Sequence, residues 1–187
     1  MEKREKVSKL LLVFFTLFFI ISILHFLAPL SLPRNSVKDL SGLTGISDNK
    51  VQIDRMTLPW NVLYSIGDRL CHQKAERAFF VNGNQMPFCS RCTAIWIGIA
   101  IGLGFMVLYK IPLNEKFLIV IILGIVPIGI DGIGQLFGFW ESTNVIRVIT
   151  GSLVGIVCGF AIGMIIDEVM EFKIKKNSSG NHSMGKK

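Results

Sequence analysis

Cys92–Tyr109 reads CTAIWIGIAIGLGFMVLY, eighteen residues without a formal charge. A hydrocarbon core about 30 Å thick needs about 20 apolar residues in a helix, so this stretch is read as a membrane span. Three more stretches match it. Leu10–Ala28 is uncharged over 19 residues, and Val148–Ile166 over another 19. Phe117–Trp140 holds a single charge, Asp131, in 24 residues. The expected fold is all-α: a four-helix transmembrane bundle. Composition agrees. Of 187 residues 51% are hydrophobic and 18% charged, with mean hydropathy +0.54, whereas a soluble domain is about one-quarter charged. A soluble enzyme, a disordered chain and a disulfide-dense scaffold are disfavoured. The net charge of +7 does not point to nucleic acid, because the basic residues crowd the two ends of the chain around an apolar middle.

That charge distribution sets the expected orientation. Lys3, Arg4, Lys6 and Lys9 precede the first span, Lys110 and Lys116 flank the short connector, and Lys173, Lys175, Lys176, Lys186 and Lys187 follow the last. Lys and Arg in short flanks stay in the cytoplasm. The reading is a multi-pass protein of the cell (cytoplasmic) membrane with both termini cytoplasmic. Its segments are a basic tail (1–9), a first span (10–28), an extracytoplasmic loop (29–91), three further spans (92–166) and a tail (167–187), disordered from Asn177. A signal peptide is disfavoured for the first span, since no A-x-A motif follows and Pro29 stands directly after Ala28. Within the loop, Ser31–Arg55 reads as irregular. Thr57–Leu70 reads as a short interfacial helix, with Trp60 and Tyr64 at headgroup depth. Besides the bilayer, the expected partner is a second copy meeting Gly-xxx-Gly faces: Gly98/Gly102, Gly134/Gly138 and Gly151 through Gly163 every fourth residue. The sequence leaves open whether these faces meet within one chain or between chains.

Polar residues crowd the outer ends of the spans. Cys71-His72 is followed by Cys89-Ser90-Arg91-Cys92. A C-x-x-C turn puts two sulfurs on one side, fit to bind a metal or close a disulfide. Pro87 is read as opening the helix, which places both cysteines in its first turn, where free N–H groups favour thiolate. Cys71, His72, Cys89 and Cys92 make a tetrahedral complement for zinc or another thiolate-binding divalent metal. Neighbouring Cys71 and His72 can both ligate only outside a regular helix. Cys158 is mid-span and reads as a buried hydrophobe. Asp131 lies about 22 Å above Lys116. An acid at that depth is costly and needs a partner, expected among Arg147, Arg91 and His72. His72 and Asp131 are the candidates for proton transfer. Arg77, Arg91, Gln135, Asn144 and Arg147 are candidate polar or anion-binding groups; Asn144 also reads as the cap of the last span.

Cys71-His72-Gln73, Arg77-Ala78-Phe79, Pro87-Phe88-Cys89-Ser90-Arg91-Cys92-Thr93, Asp131-Gly132 with Gln135, and Ser142-x-Asn144-x-x-Arg147 together resemble a family of small prokaryotic membrane proteins, a domain of unknown function. The resemblance covers about residues 64–166. Some family members carry Asp at the second cysteine of C-x-R-C, which implies that a metal site fits the family better than a required disulfide. It implies no activity. Three functions therefore compete: an outward-facing Cys/His metal site, a membrane thiol–disulfide oxidoreductase linked to quinone, and an oligomeric transporter or anionic-lipid binder.

Overall fold

The computed structural model describes every residue except Met1, Glu5, Ser41, Leu43, Leu113 and 185–187. Four of its helices are long and apolar enough to cross a membrane. Helix α1, Lys9–Ser31, begins where Ser8 Oγ accepts from the Leu11 N–H at 3.1 Å. It runs through Pro29, three residues beyond the expected limit. In the loop, α2 is a single turn at Lys50–Ile53 and α3 spans Trp60–Leu70. Helix α4 is Ser90–Leu108. Helix α5, Glu115–Leu136, is capped by Asn114 Oδ1 accepting from the Phe117 N–H at 2.9 Å. Helix α6 runs from Asn144 to Met184, with an apolar portion over Asn144–Lys173. Its backbone passes the Asn177 at which the sequence reading ends order.

The core of the bundle is the α4–α6 contact, and glycine makes it. A Cβ on Gly155 would stand 2.4 Å from the Ile95 carbonyl oxygen and 2.8 Å from Gly98 Cα. Only backbones without side chains come this close, the usual way for helices to associate where lipid removes the hydrophobic drive. Gly102 meets Gly159, and Gly163 meets Met106, along the same seam. These glycine faces therefore close on each other within one chain. Gly134 instead packs under the Trp140 ring, and Gly138, at φ +72°, turns the chain back after α5. Helices α1 and α5 lie outside this seam and leave Val13, Leu17, Ile122, Leu123 and Ile130 uncovered, the surface a bilayer would cover.

At one end, strand β1 (Glu2–Lys3) pairs antiparallel with β4 (Tyr109–Lys110). Arg4 forms a two-pronged pair with Asp167, its Nη1 donating to Oδ1 at 2.8 Å, and Lys110 pairs with Glu171. The N-terminal segment, the α4–α5 connector and the end of the last span thus share one end of the bundle.

The other end carries a feature absent from the all-α expectation. Strands β2 (Ala78–Val81) and β3 (Asn84–Cys89) form an antiparallel hairpin. Its turn is Asn82-Gly83, at φ +56° and +71°, the left-handed pair a tight two-residue hairpin requires. Pro87 lies inside β3 and does not open the helix; α4 starts at Ser90, with Cys89 as its N-cap residue. A second apolar core forms here from Ala28, Leu32, Val37, Leu40, Ile53 and Tyr64. Tyr64 is 0% exposed and donates its hydroxyl to the Gln85 carbonyl at 2.6 Å, so it anchors the loop core and does not sit at a headgroup surface. Among the exposed apolar residues of this region, Val62, Ile66 and Leu70 fall every fourth residue along α3, in line with Leu58 just before it.

Candidate metal centre

Three separate local structures deliver the cysteines. Cys71 ends α3, where its N–H closes on the Gly67 carbonyl at 2.9 Å and its backbone turns extended. Gly67 is required there: a Cβ would lie 2.0 Å from the Pro87 carbonyl oxygen, so no larger residue lets α3 approach β3. Cys89 ends β3, opposite Ala78. Cys92 lies in the first turn of α4. The three sulfurs fall within 4.8 Å of one another. The Cys89 N–H also donates to Cys71 Sγ at 3.4 Å, tying helix end to strand end.

The site is held by buried amides. Gln73 Nε2 donates to the Pro87 carbonyl at 2.7 Å, two residues before Cys89, while the Gln73 carbonyl accepts from Gln85 Nε2. Gln85 in turn bonds both backbone groups of Leu40. Asn84 Oδ1 accepts from the Ser36 and Val37 N–H groups, and its Nδ2 donates to the carbonyls of Pro29 and Pro33. The hairpin is thereby fixed to the end of α1 and to the loop. His25, fully buried on α1, donates from Nδ1 to the Ile21 carbonyl at 2.6 Å and stacks on Phe88 with ring centres 4.7 Å apart.

Electrostatics favour thiolate at one sulfur. The Cys89 thiol is drawn well below its ordinary range, first by the hydrogen bond from Cys71, then by Cys92 and the N–H groups of Cys92 and Arg91. Cys71 is pushed up, chiefly because it donates its proton to Cys89. A tetrahedral ion with bonds of about 2.3 Å needs sulfurs about 3.8 Å apart. Sulfurs already within 4.8 Å require little movement, and soft thiolates suit zinc-type ions. The donor set fits such an ion.

Beside the sulfurs lies a polar layer. Asp131 is 4% exposed; its Oδ2 pairs with Arg91 Nη2, and its Oδ1 accepts from Trp140 Nε1 at 3.3 Å. Arg147 donates through Nη1 to Asn144 Oδ1 at 3.2 Å. Gln135, with its amide oxygen turned toward them, accepts from Arg147 Nη2 at 2.8 Å and from the Ser142 N–H at 2.9 Å. Ser90 Oγ donates to the same Asn144 Oδ1 at 2.9 Å. Arg77 stands beside Glu76 at 3.9 Å, half-exposed, within electrostatic reach of Arg147.

Of the residues singled out by sequence, Cys71, Cys89 and Cys92 come together, and Asp131, Arg91, Gln135, Asn144 and Arg147 gather beside them. His72 does not join the sulfurs. It is exposed, and its ring nitrogens face Thr44 Oγ1 at 3.1 and 3.2 Å, because Cys71 and His72 alternate in direction along extended backbone. Asn144 does not cap α6; Thr143 Oγ1 accepts from the Ile146 N–H at 3.3 Å instead, which frees the Asn144 amide for Ser90 and Arg147. Sequence reasoning gave no role to Ser90 or Trp140. Trp140 had a signal: Gly134 leaves room for its ring, and Gly138 turns it back toward Asp131.

A family model described as a predicted membrane protein (DUF2085) matches residues 71–172. The chain is 36% identical to the uncharacterized protein MJ1492 of Methanocaldococcus jannaschii over 122 residues, 60% of this chain and 74% of the relative. It is 38% identical over 87 residues to an uncharacterized protein of Methanothermobacter thermautotrophicus, covering 46% of this chain and 78% of that protein. No solved structure matches the chain.

Proposed function

The chain belongs to the DUF2085 family of predicted membrane proteins, and from that premise we propose that its functional centre is a three-thiolate metal site at the extracytoplasmic end of the bundle. Cys71, Cys89 and Cys92 are the ligands, and a zinc-type divalent ion is the occupant. The observation that carries the reading is convergence: cysteines from a helix end, a strand end and a helix start bring three sulfurs within 4.8 Å. Chance packing rarely gathers three of four cysteines this way. A divalent zinc-type ion held by three protein ligands keeps one position for water or substrate, the open arrangement of catalytic sites. The protein's own part is to hold the thiolates in place and exclude lipid.

Orientation rests on the basic end. Arg4, Lys6, Lys9 and Lys110 accompany the β1–β4 pairing, and the positive-inside rule puts that end in the cytoplasm, with residues 29–91 outside. Impermeant thiol reagents applied to intact cells, after reduction and metal removal, label Cys89 or Cys92; a cysteine placed at Ser178 stays protected. The reverse pattern would put the centre in the cytoplasm.

A second reading has its own support. Cys71 lies within reach of both members of the C-x-x-C pair, the arrangement that lets a third thiol exchange into a disulfide, although a quinone-linked oxidoreductase needs a second cysteine pair and only Cys71 stands in for it here. One experiment separates the two: metal content and free-thiol count of the pure protein, isolated without chelator. Close to one equivalent of divalent ion with all thiols recovered on denaturation supports the metal centre. No metal and two missing thiols supports the disulfide enzyme.

A further inference from the structure

Among the described residues, the ion pairs at the sulfur end do not account for every buried charge. Arg91 is matched by Asp131. Arg77, half-exposed, stands beside Glu76 and has water to share its charge. Arg147 is different. It is 5% exposed, and its hydrogen-bond partners among the described residues are two neutral amide oxygens, Asn144 Oδ1 and Gln135 Oε1. No described carboxylate lies within ion-pair distance of it. A buried guanidinium without an anion is strongly disfavoured, and native structures supply one.

The candidate anion is one shared acceptor away. Asn144 Oδ1 takes hydrogen bonds from Arg147 and from Ser90, and Ser90 follows Cys89 directly in the chain. Of the negative charges without a cation partner at this end, buried Asp68 is held by the Asn49 amides in the loop, and the sulfur cluster is the one that this chain of hydrogen bonds leads to. Three thiolates around a divalent ion carry a net charge of −1, equal and opposite to Arg147. A disulfide between any two of the cysteines, with the third as thiol, carries none and leaves the guanidinium bare.

We infer that Arg147 is the counter-ion of the thiolate centre, a positioning residue whose charge the centre needs in order to hold a divalent ion. The inference rests on the metal reading above and adds to it a partner from the last span. Gln135 from α5 and Asn144 from the start of α6 aim the fork, so α5 and α6 are joined to the loop and α4 through this charge. The same two amides would have no reason to converge on a cation that only snorkelled to the surface.

The test uses the full chain in detergent micelles with Co²⁺ as the probe, read by the sulfur-to-cobalt charge-transfer band. The wild type develops the band and saturates at one ion per chain. Arg147→Gln keeps the stoichiometry but weakens affinity by about 10–100-fold, the usual loss for a partner behind the ligands. Arg147→Lys restores the charge without the fork and stays within about threefold of wild type. Folding of each variant is checked by circular dichroism and size exclusion. Wild-type affinity in a folded Arg147→Gln, even with a lowered melting temperature, makes Arg147 a packing residue and overturns the inference while leaving the metal centre standing. Should Arg147→Gln fail to fold, Arg147→Lys decides: a folded lysine variant that has lost the band shows that shape, not charge, matters. A wild type with no band at all overturns the metal reading itself, and the inference with it, before any variant is made.

Discussion

At one end of the bundle Arg4 meets Asp167, two nitrogens on two oxygens, both side chains nearly buried. At the other end Arg147 is as deeply buried and meets amides. The first arrangement is closed: cation and anion cancel, and the pair joins the N-terminal segment to the last span. The second is open: no described carboxylate lies within ion-pair distance of it, and three sulfurs gather at the same end. A structural ion pair and a functional site can use the same residue type at the same depth. What separates them is whether the charge sum closes within the protein.

The largest effect should fall on the open end. Cys89→Ser removes one of three mutually adjacent sulfurs, the one most drawn toward thiolate. Metal binding should drop by on the order of 5 kcal/mol or more, out of the roughly 10–16 kcal/mol by which thiolate sites hold zinc. Isothermal competition against a chelator of known affinity measures it. Retained tight binding in Cys89→Ser would erase the distinction between the two ends. The matching change at the closed end is Asp167→Ala, which strands Arg4. It should cost about 3–5 kcal/mol of stability and leave metal affinity untouched. Thermal unfolding in micelles, with and without metal, reads both quantities on one sample.

A smaller effect tests how the sulfur end is built. Gln73→Leu deletes the donor to the Pro87 carbonyl and leaves that oxygen bare beside Gly67. A buried acceptor without its partner costs about 1–3 kcal/mol, and Cys71, two residues away, loses its fixed distance to Cys89. Metal affinity should fall about tenfold and the unfolding midpoint should drop, whereas the same substitution at half-buried Gln52, whose amide makes only a long 3.4 Å bond to the Ser36 carbonyl, should leave metal affinity unchanged.

How far these features were readable differs by region. The spans are legible because a bilayer demands long uncharged runs; the glycine spacing marks the faces of α4 and α6 that make contact, but not that they meet each other. The hairpin escapes the sequence reading although Asn82-Gly83 announces it; strands of four and six residues are too short to show a period against the apolar background. Pro87 was misread as a helix start because proline favours that position, but it is equally at home on an edge strand. The Arg4–Asp167 pair joins residues 163 apart, and no local pattern connects them. The cysteines were singled out by type and spacing; their meeting depended on Gly67 and the hairpin, neither of which had been given that role.

The smallest effect concerns His72, and it sharpens the comparison at the point where sequence and structure part. As a neighbour of Cys71 it completes a four-ligand set on paper. In the fold it points to Thr44 in an exposed position, and extended backbone sends it away from the sulfurs. His72→Ala should therefore leave stoichiometry and affinity within about twofold, because a solvated hydrogen bond is worth little. The cobalt absorption discriminates further: an imidazole among the ligands shifts the visible bands when it is removed, whereas a three-sulfur ion with water in the fourth place keeps its spectrum. A spectral shift with a loss of tenfold or more would mean that the loop from Gly42 to Cys71 swings inward on metal binding. The centre would then be closed by four protein ligands, a clamp like the Arg4–Asp167 end, and the open position on which a reaction depends would be gone.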